Sequence, residues 1–412
     1  MTVYQTAQNL VLPADDKDEI AVSIVMPCLN ESGSLPHCIA NAQDALMIIA
    51  ERHGISGEVV IADNGSTDGS QALARSLGAR VVDVAERGYG AAIIGGFGQA
   101  RGHMLVMGDA DGSYDFTDSV EMVGRLLEGA DLCIGSRFKG GIARGAMPWK
   151  NRYIGNPALT GVLNLFFRSE ISDAHCGLRA ITREAFATCG LTSSGMEFAS
   201  EMVIKASLKR LRIAEVPATL SPDLRDRPPH LRPWRDGWRH LRYLLMLSPT
   251  WVFGVPALMA MLTGLAILAT AFAFQIGLAA GTGPFGTSWT IAAGFLLTTG
   301  HFAGIMAFVT HIHGVRRGYR SLRPWIARNT SMLTLEHALA SGLGLIGIGI
   351  AGLAAVGWRW SESGFVALPS VLPLVVASDF AAIGLQTALG GFMLAIITDH
   401  DTHFGRAMGS RG

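Results

Sequence analysis

Met104-Leu105-Val106-Met107-Gly108-Asp109-Ala110-Asp111-Gly112 decides how the chain is read. An apolar run, Met104 to Met107, reads as a buried strand, and it ends in two carboxylates one residue apart. Along an extended backbone, positions i and i+2 fall on the same side. Two like charges held side by side repel unless a cation lies between them. Mg²⁺ or Mn²⁺ is the simplest such cation, because it takes oxygen ligands and commonly keeps a substrate's phosphates among them. The stretch therefore points to a metal on Asp109 and Asp111 that grips a diphosphate at the end of a sheet. The plainer alternative is a strand closing in a polar turn.

On either side of this stretch, strand-like runs alternate with helix-like ones. Strands are expected at Val22–Met26, Glu58–Ala62, Arg80–Val84, Met104–Met107 and Asp131–Gly135. Helical spacing runs through Ser34–Arg52, Asp68–Leu77 (with Thr67 or Asp68 as its cap) and Tyr89–Arg101. Such alternation predicts an α/β fold with a mostly parallel sheet and helices on both faces. Ligands in these folds bind at the carboxyl ends of the strands. Those ends carry Asn30 and Glu31, Asp63 and Asn64, and Asp109 and Asp111, which predicts one shared cleft. No GxGxxG follows the first strand directly, and no GxxxxGK[ST] occurs. Gly88-Tyr89-Gly90 lies too deep in the chain for a dinucleotide fingerprint. Dehydrogenase and P-loop readings lose ground accordingly.

The chain has 412 residues, enough for two or three domains, and is 49% hydrophobic. Its formal net charge of +0 gives no reason to expect nucleic acid. From Leu244 to Val315 there is no Asp, Glu, Lys or Arg, which separates a soluble first half from a membrane second half. Four stretches reach the length of a spanning helix: Trp251–Leu278, Thr290–Ile312, Leu335–Gly357 and Leu374–Thr398. The loop between the second and third carries Arg316, Arg317, Arg320, Arg323 and Arg328. By the positive-inside rule it faces the cytoplasm, as do the first half and the C-terminus. Asp379 reads as an acid at the outer interface, with an intramembrane function as the alternative. Gly342, Gly344, Gly347, Gly349 and Gly352 permit close helix packing. Between the halves, Arg225–Tyr243 interleaves arginines with Trp234, Trp238 and Tyr243, as an interfacial helix would. The five cysteines show no CxxC spacing, so a reduced, cytosolic domain is expected. The polar start, Met1 to Ile20, does not read as a signal peptide.

Ser23-Ile24-Val25-Met26-Pro27-Cys28-Leu29-Asn30-Glu31, Asp63-Asn64-Gly65-Ser66-Thr67-Asp68 and Asp109-Ala110-Asp111 occur in the order and spacing of the family 2 glycosyltransferases of the GT-A fold. Gly135-Ser136-Arg137, Asn151–Asn156 and Ser172–Ala180 resemble the polyprenyl-phosphate branch, typified by dolichol-phosphate mannose and glucose synthases. The resemblance covers about residues 20–245. It implies a Rossmann-like GT-A domain at 21–224, after a flexible N-terminus at 1–20. A juxtamembrane amphipathic segment at 225–248, four transmembrane helices within 249–398 and a cytoplasmic tail at 399–412 follow.

What the resemblance implies for the site is specific. Pro27, Asn30, Glu31, Asp63, Asn64, Asp109, Arg225 and Arg227 would bind the donor nucleotide. Asp109 and Asp111 would hold Mg²⁺ or Mn²⁺, with Ser113 where the mannose synthases place a Gln. Arg137, Arg152, Asn156 and His175 would bind the acceptor phosphate. Asp111, Asp173 and Arg137 would be catalytic, Asp173 either taking a proton or orienting an arginine. The implied reaction is an inverting, metal-dependent hexose transfer from GDP-mannose or UDP-glucose to polyprenyl or dolichyl phosphate, in a prokaryotic cytoplasmic membrane. The expected partners are the nucleotide-diphosphate sugar, the lipid phosphate, the bilayer and, as an option, a second copy of the chain in a homo-oligomer. The rivals are a processive polysaccharide synthase, whose Gln-x-x-Arg-Trp motif does not occur here, and a lipid-linked sugar flippase or channel with a nucleotide-binding domain.

Overall fold

The run Met104–Met107 is a strand whose four side chains are all buried. The computed structural model describes residues 20–225, 233–278, 283–318, 320, 322–329, 332–367 and 369–398. Arg227 and most of the expected terminal segments 1–20 and 399–412 lie outside the described residues. The chain divides into two units, Met1–Tyr243 and Leu244–Gly412.

In chain order the first unit begins β1 (Ile20–Cys28), α1 (Leu35–His53), β2 (Ser56–Asp63), α2 (Ser70–Ser76), β3 (Arg80–Asp83), α3 (Tyr89–Gln99) and β4 (Met104–Met107). It continues α4 (Ser119–Leu127), β5 (Leu132–Ser136), α5 (Arg137–Gly140), β6 (Gly141–Ile142), α6 (Asn156–Phe167), β7 (Arg179–Thr182), α7 (Arg183–Cys189), α8 (Phe198–Leu208) and β8 (Ile213–Leu220). The helix α9 (Pro233–Met246) follows. Helix α1 forms because Leu35, Cys38, Ile39, Ala42, Ala45 and Ile49 recur on one face and are buried. It stops at Gly54, whose left-handed φ of 70° lets its N–H reach Ala50 O. Helix α2 starts at Ser70, later than expected. Asp68 Oδ1 accepts the Ser70 N–H at 3.1 Å from just outside the helix.

The eight strands form one sheet in the order β3-β2-β1-β4-β7-β5-β8-β6. All pairings are parallel except those of β7, which lies antiparallel between β4 and β5. The sheet is thus mostly parallel, and the reversal positions the site. Because β7 runs backwards, its first residue, Arg179, pairs with Met107 at the carboxyl end of β4. The loop leading into β7 therefore arrives beside the acids that follow β4. All five cysteines are free thiols and buried, which agrees with the reduced interior expected.

The second unit contains α10 (Val255–Gln275), entered through a π-helical turn at Thr250–Gly254, then α11 (Thr287–Arg316), the short α12 (Pro324–Arg328), α13 (Leu335–Glu362) and α14 (Leu372–Ile397). Four helices, Thr250–Gln275, Thr287–Arg316, Leu335–Glu362 and Leu372–Ile397, are long and apolar enough to cross a membrane. Their outer faces expose large apolar side chains such as Leu262, Phe295, Leu343 and Ile396, as lipid-facing helices do. The chain is an integral membrane protein. Helices α13 and α14 pack closely at Gly342 and Gly384, where a Cβ on either would lie 2.7 or 2.6 Å from the other's carbonyl oxygen. Gly349 and Gly352 also face α14, whereas Gly344 and Gly347 open outward, so only part of the glycine stripe serves this contact. His301 on α11 bonds Gln386 on α14 at 2.9 Å.

Asp379 lies near the start of the last apolar helix. Helix α14 begins at Leu372, so the acid lies about two turns inside the helix. It is buried against α11, where a Cβ on Gly294 would be 3.0 Å from both carboxylate oxygens.

Candidate active site

Each strand end supplies an acid. Glu31 follows β1, Asp63 closes β2, and Asp109 and Asp111 follow β4. Asp63 is 1% exposed. Its Oδ2 accepts the N–H groups of Gly65 and Ser66, both at 3.0 Å, and the Gln71 amide at 2.6 Å. Burial opposes the charge, yet the Ser66 and Gln71 bonds hold the carboxyl below its usual range. Its Oδ1 is buried and unpartnered among the described residues. That oxygen is a ready acceptor for a donor N–H or hydroxyl.

Asn30 and Asn64 stand beside these acids but face the protein. Asn30 Oδ1 accepts the Thr67 N–H at 2.7 Å. Asn64 donates to Val84 O and Glu86 O, and its Oδ1 accepts the Gly88 N–H at 2.8 Å. Both amides fix the loops around the cleft. Pro27 pairs with Ala62 across β1 and β2.

Arg225 joins two strand ends. Its Nε lies 3.0 Å from Glu31 Oε1 and its Nη2 3.1 Å from Asp111 Oδ2. Asp111 Oδ1 accepts the Ser113 N–H at 3.0 Å. Gly112 makes this turn possible: its φ of 78° favours glycine, and a Cβ there would lie 2.6 Å from Leu224. The Tyr89 hydroxyl favours the charged form of Asp109. Burial first, and the Asp111 charge second, push its carboxyl up to about 7. A cation between the two acids would relieve that repulsion. Among the described residues no cluster of three His, Cys, Asp or Glu side chains could hold a metal. An all-oxygen pair fits a hard divalent cation that takes its remaining ligands from water and substrate phosphates.

The loop before β7 backs this pair. The Gly177 N–H donates to the Tyr114 hydroxyl at 2.8 Å, and a Cβ on Gly177 would lie 2.9 Å from Asp109 Oδ2. Arg179 is fully buried and anchors the loop through the carbonyls of Cys176, Ala199 and Ala174.

At the end of β5, Arg137 and Asp173 form a two-pronged pair. Nε donates to Oδ2 at 2.7 Å and Nη2 to Oδ1 at 2.8 Å, and the Arg137 N–H adds a third bond to Oδ2 at 3.1 Å. Burial opposes the Asp173 charge, but Arg137 holds the carboxyl below its usual range. With both oxygens on one guanidinium, Asp173 orients an arginine and is poorly placed to take a proton. Of the two roles open in the sequence, the geometry favours orienting the arginine.

His175 meets the His240 ring edge-on at 4.9 Å. Burial first, then the His240 charge, pull it down to about 3, so its imidazole is neutral and offers a hydrogen bond but no charge. Arg152 lies over the Tyr153 ring at 5.4 Å, and Asn156 donates to Met147 Sδ. Among the described residues nothing links either of them to the Arg137–Asp173 pair.

Sequence reasoning missed Tyr89, Tyr114 and Gly177. Tyr89 sits inside the Gly88-Tyr89-Gly90 triplet, which was weighed for its glycines alone. Gly177 belongs to a quoted motif, but its closeness to Asp109 depends on the reversed strand.

The glycosyl transferase family 2 model matches residues 23–190, and the model of the glycosyltransferase family 2 C-terminal transmembrane region matches residues 308–398. The chain is 36% identical over 394 residues to the low-salt glycan biosynthesis hexosyltransferase Agl6 of Haloferax volcanii, covering 95% of this chain and 92% of that one. It is 29% identical to the dolichyl-phosphate beta-glucosyltransferase of Saccharomyces cerevisiae, over 49% of this chain and 67% of the relative. It is 28% identical to the dolichol-phosphate mannosyltransferase of Pyrococcus furiosus, over 48% and 56%.

Proposed function

Because the chain belongs to glycosyl transferase family 2 and is a glycosyltransferase, we propose that it transfers a hexose from GDP-mannose or UDP-glucose to the phosphate of a membrane polyprenyl or dolichyl phosphate, with inversion at the anomeric carbon. The observation that carries this reading is Arg225, which reaches Glu31 after β1 and Asp111 after β4 at once. Acids from separate strand ends thus face one cleft, as a nucleotide-diphosphate site requires.

The open Oδ1 of Asp63 takes a base N–H or ribose hydroxyl. Glu31 takes a second donor hydroxyl, and Arg225 turns from the acids to the diphosphate when the donor enters. Asp109 and Asp111 hold Mg²⁺ or Mn²⁺, with Ser113 or water beside them. When bound, the metal neutralises charge on the departing nucleoside diphosphate. Arg137, aimed by Asp173, presents Nη1, the guanidinium nitrogen not engaged with that carboxylate, to the acceptor phosphate.

The sugar C–O bond to the diphosphate breaks, and its electron pair leaves with the nucleoside diphosphate. A lone pair on the lipid phosphate forms the new bond from the opposite face. No proton has to move, because a phosphate monoester has its second pKa near about 6 and is already an oxyanion. In this reading 21–224 performs transfer, and 225–248 lies in the headgroup layer. The exposed Trp238 and Arg235 on α9 support that placement. The arginine-bearing loop faces the cytoplasm, as do the first unit and the C-terminus.

The test compares two acceptors with purified full chain, Mn²⁺ and each labelled donor. Polyprenyl phosphate should become labelled and the corresponding polyprenol should not. Equal labelling of the alcohol would sink the claim that no base is needed, and no labelling with any donor would sink the assignment.

A further inference from the structure

The second unit holds a largely apolar pocket with a few polar groups that the transfer reading does not use. His311, on α11, is 7% exposed, and neither ring nitrogen has a hydrogen-bond partner among the described residues. An imidazole in apolar surroundings with both nitrogens unmet is unfavourable unless something binds there. His311 lines a cavity of about 340 Å³ together with Thr250, Phe308, Arg323, Trp325 and Ile326. Arg323 Nη2 donates to Thr250 Oγ1. Among the described residues no carboxylate pairs with Arg323. A guanidinium, an imidazole and a hydroxyl thus share one cavity, without an acid to balance them. That is a donor set for an anion.

The rest of the lining says which kind of anion. Phe308 and Trp325 stand with ring centroids 6.4 Å apart, and Ile326 closes the same wall. A free phosphate would gain nothing from this apolar side, whereas the first carbons of a lipid would. The depth agrees. His311 lies five residues before Arg316, the last residue of α11, or about 7.5 Å along the axis. That is the layer in which head groups meet a bundle. The C-terminal end of α11 is the negative end of its dipole and would disfavour an anion, and Arg323 offsets it.

We propose that this pocket binds the phosphate head group of a membrane lipid, with His311 and Arg323 as its donors and the lipid chain leaving along the apolar wall. The volume suits a head group and its first carbons only, so the remainder of the chain lies against the outside of the bundle. Every residue that lines the site belongs to the second unit, and the site does not depend on the transfer reading.

Full chain in neutral detergent is titrated with a short polyprenyl phosphate, with phosphatidylglycerol and with inorganic phosphate, and bound lipid is counted by native mass spectrometry. A lipid phosphate should bind the native chain. His311→Leu and Arg323→Gln should each weaken it by about tenfold or more, the effect of one charge-assisted hydrogen bond. Mn²⁺-dependent nucleoside diphosphate binding should stay unchanged in both. If His311→Leu fails to fold, Arg323→Gln decides alone. Unchanged lipid affinity in the folded variants overturns the proposal. So does full displacement of the lipid by millimolar inorganic phosphate, which would make the pocket a free-anion site. Asp111→Asn is read separately for sugar transfer, so either claim can fall without the other.

Discussion

Arg137 and Asp173 are joined through two side-chain bonds of 2.7 and 2.8 Å, with both residues buried. Breaking such a pair leaves one charge uncompensated, at a cost of about 3–5 kcal/mol. Asp173→Ala should lower the melting temperature of the full chain markedly. The pH dependence has a definite sign. The folded carboxyl lies below its unfolded value of about 3.9, so the pair's contribution is whole above about pH 4 and is lost as pH falls further. The gap in stability between native chain and Asp173→Asn should therefore shrink on acidification below about pH 4, as followed by thermal melts. A gap that stays constant down to pH 3 would show that the pair does not act this way.

Arg137→Lys separates charge from geometry. A lysine keeps the positive charge but loses the fork that holds Asp173 and leaves Nη1 for the acceptor. The KM for lipid phosphate should rise by about tenfold or more, the weight of one lost charge-assisted bond. Donor affinity should not move. An equal rise in both constants would place Arg137 outside acceptor binding.

Asp63→Ala removes the unpartnered Oδ1 together with the anchor for Gly65 and Ser66. Nucleoside diphosphate affinity, measured by calorimetry, should fall by about tenfold to a hundredfold, in line with one or two lost hydrogen bonds to a charged group. Unaltered affinity would remove Asp63 from the donor site.

Gly177→Ala puts a methyl group 2.9 Å from Asp109 Oδ2. The acid must shift, while the loop remains anchored by Arg179. Mn²⁺ affinity should weaken with little change in melting temperature. A variant with native Mn²⁺ affinity would show that the loop before β7 does not shape the metal pair.

What the sequence showed and what it hid have separate physical causes. The acids after β1, β2 and β4 were legible because parallel strands carry a local signature, a short apolar run closing in polar residues. Gly177 and Arg179 were not, because they approach the site through an antiparallel strand inserted between β4 and β5, and that pairing is non-local; Tyr114 follows the acids in sequence, but its contact with Gly177 depends on the same pairing. Asn30 and Asn64 lie in the right place, but sequence cannot tell that their amides bond to the neighbouring loops. His311 drew no attention, since a lone histidine near the end of an apolar helix has no pattern to mark it.

The most direct measurement is transfer of labelled hexose into the organic phase, using purified full chain, Mn²⁺, polyprenyl phosphate and GDP-mannose or UDP-glucose, with native chain and Asp111→Asn side by side. Asp111 lies between Arg225 and the Ser113 N–H, and Asn is close in size but carries no charge. The account predicts lipid-phase label with the native chain and a loss of at least about a hundredfold with the variant, about 2.7 kcal/mol of transition-state stabilisation. Label that persists at the native rate in Asp111→Asn would contradict it.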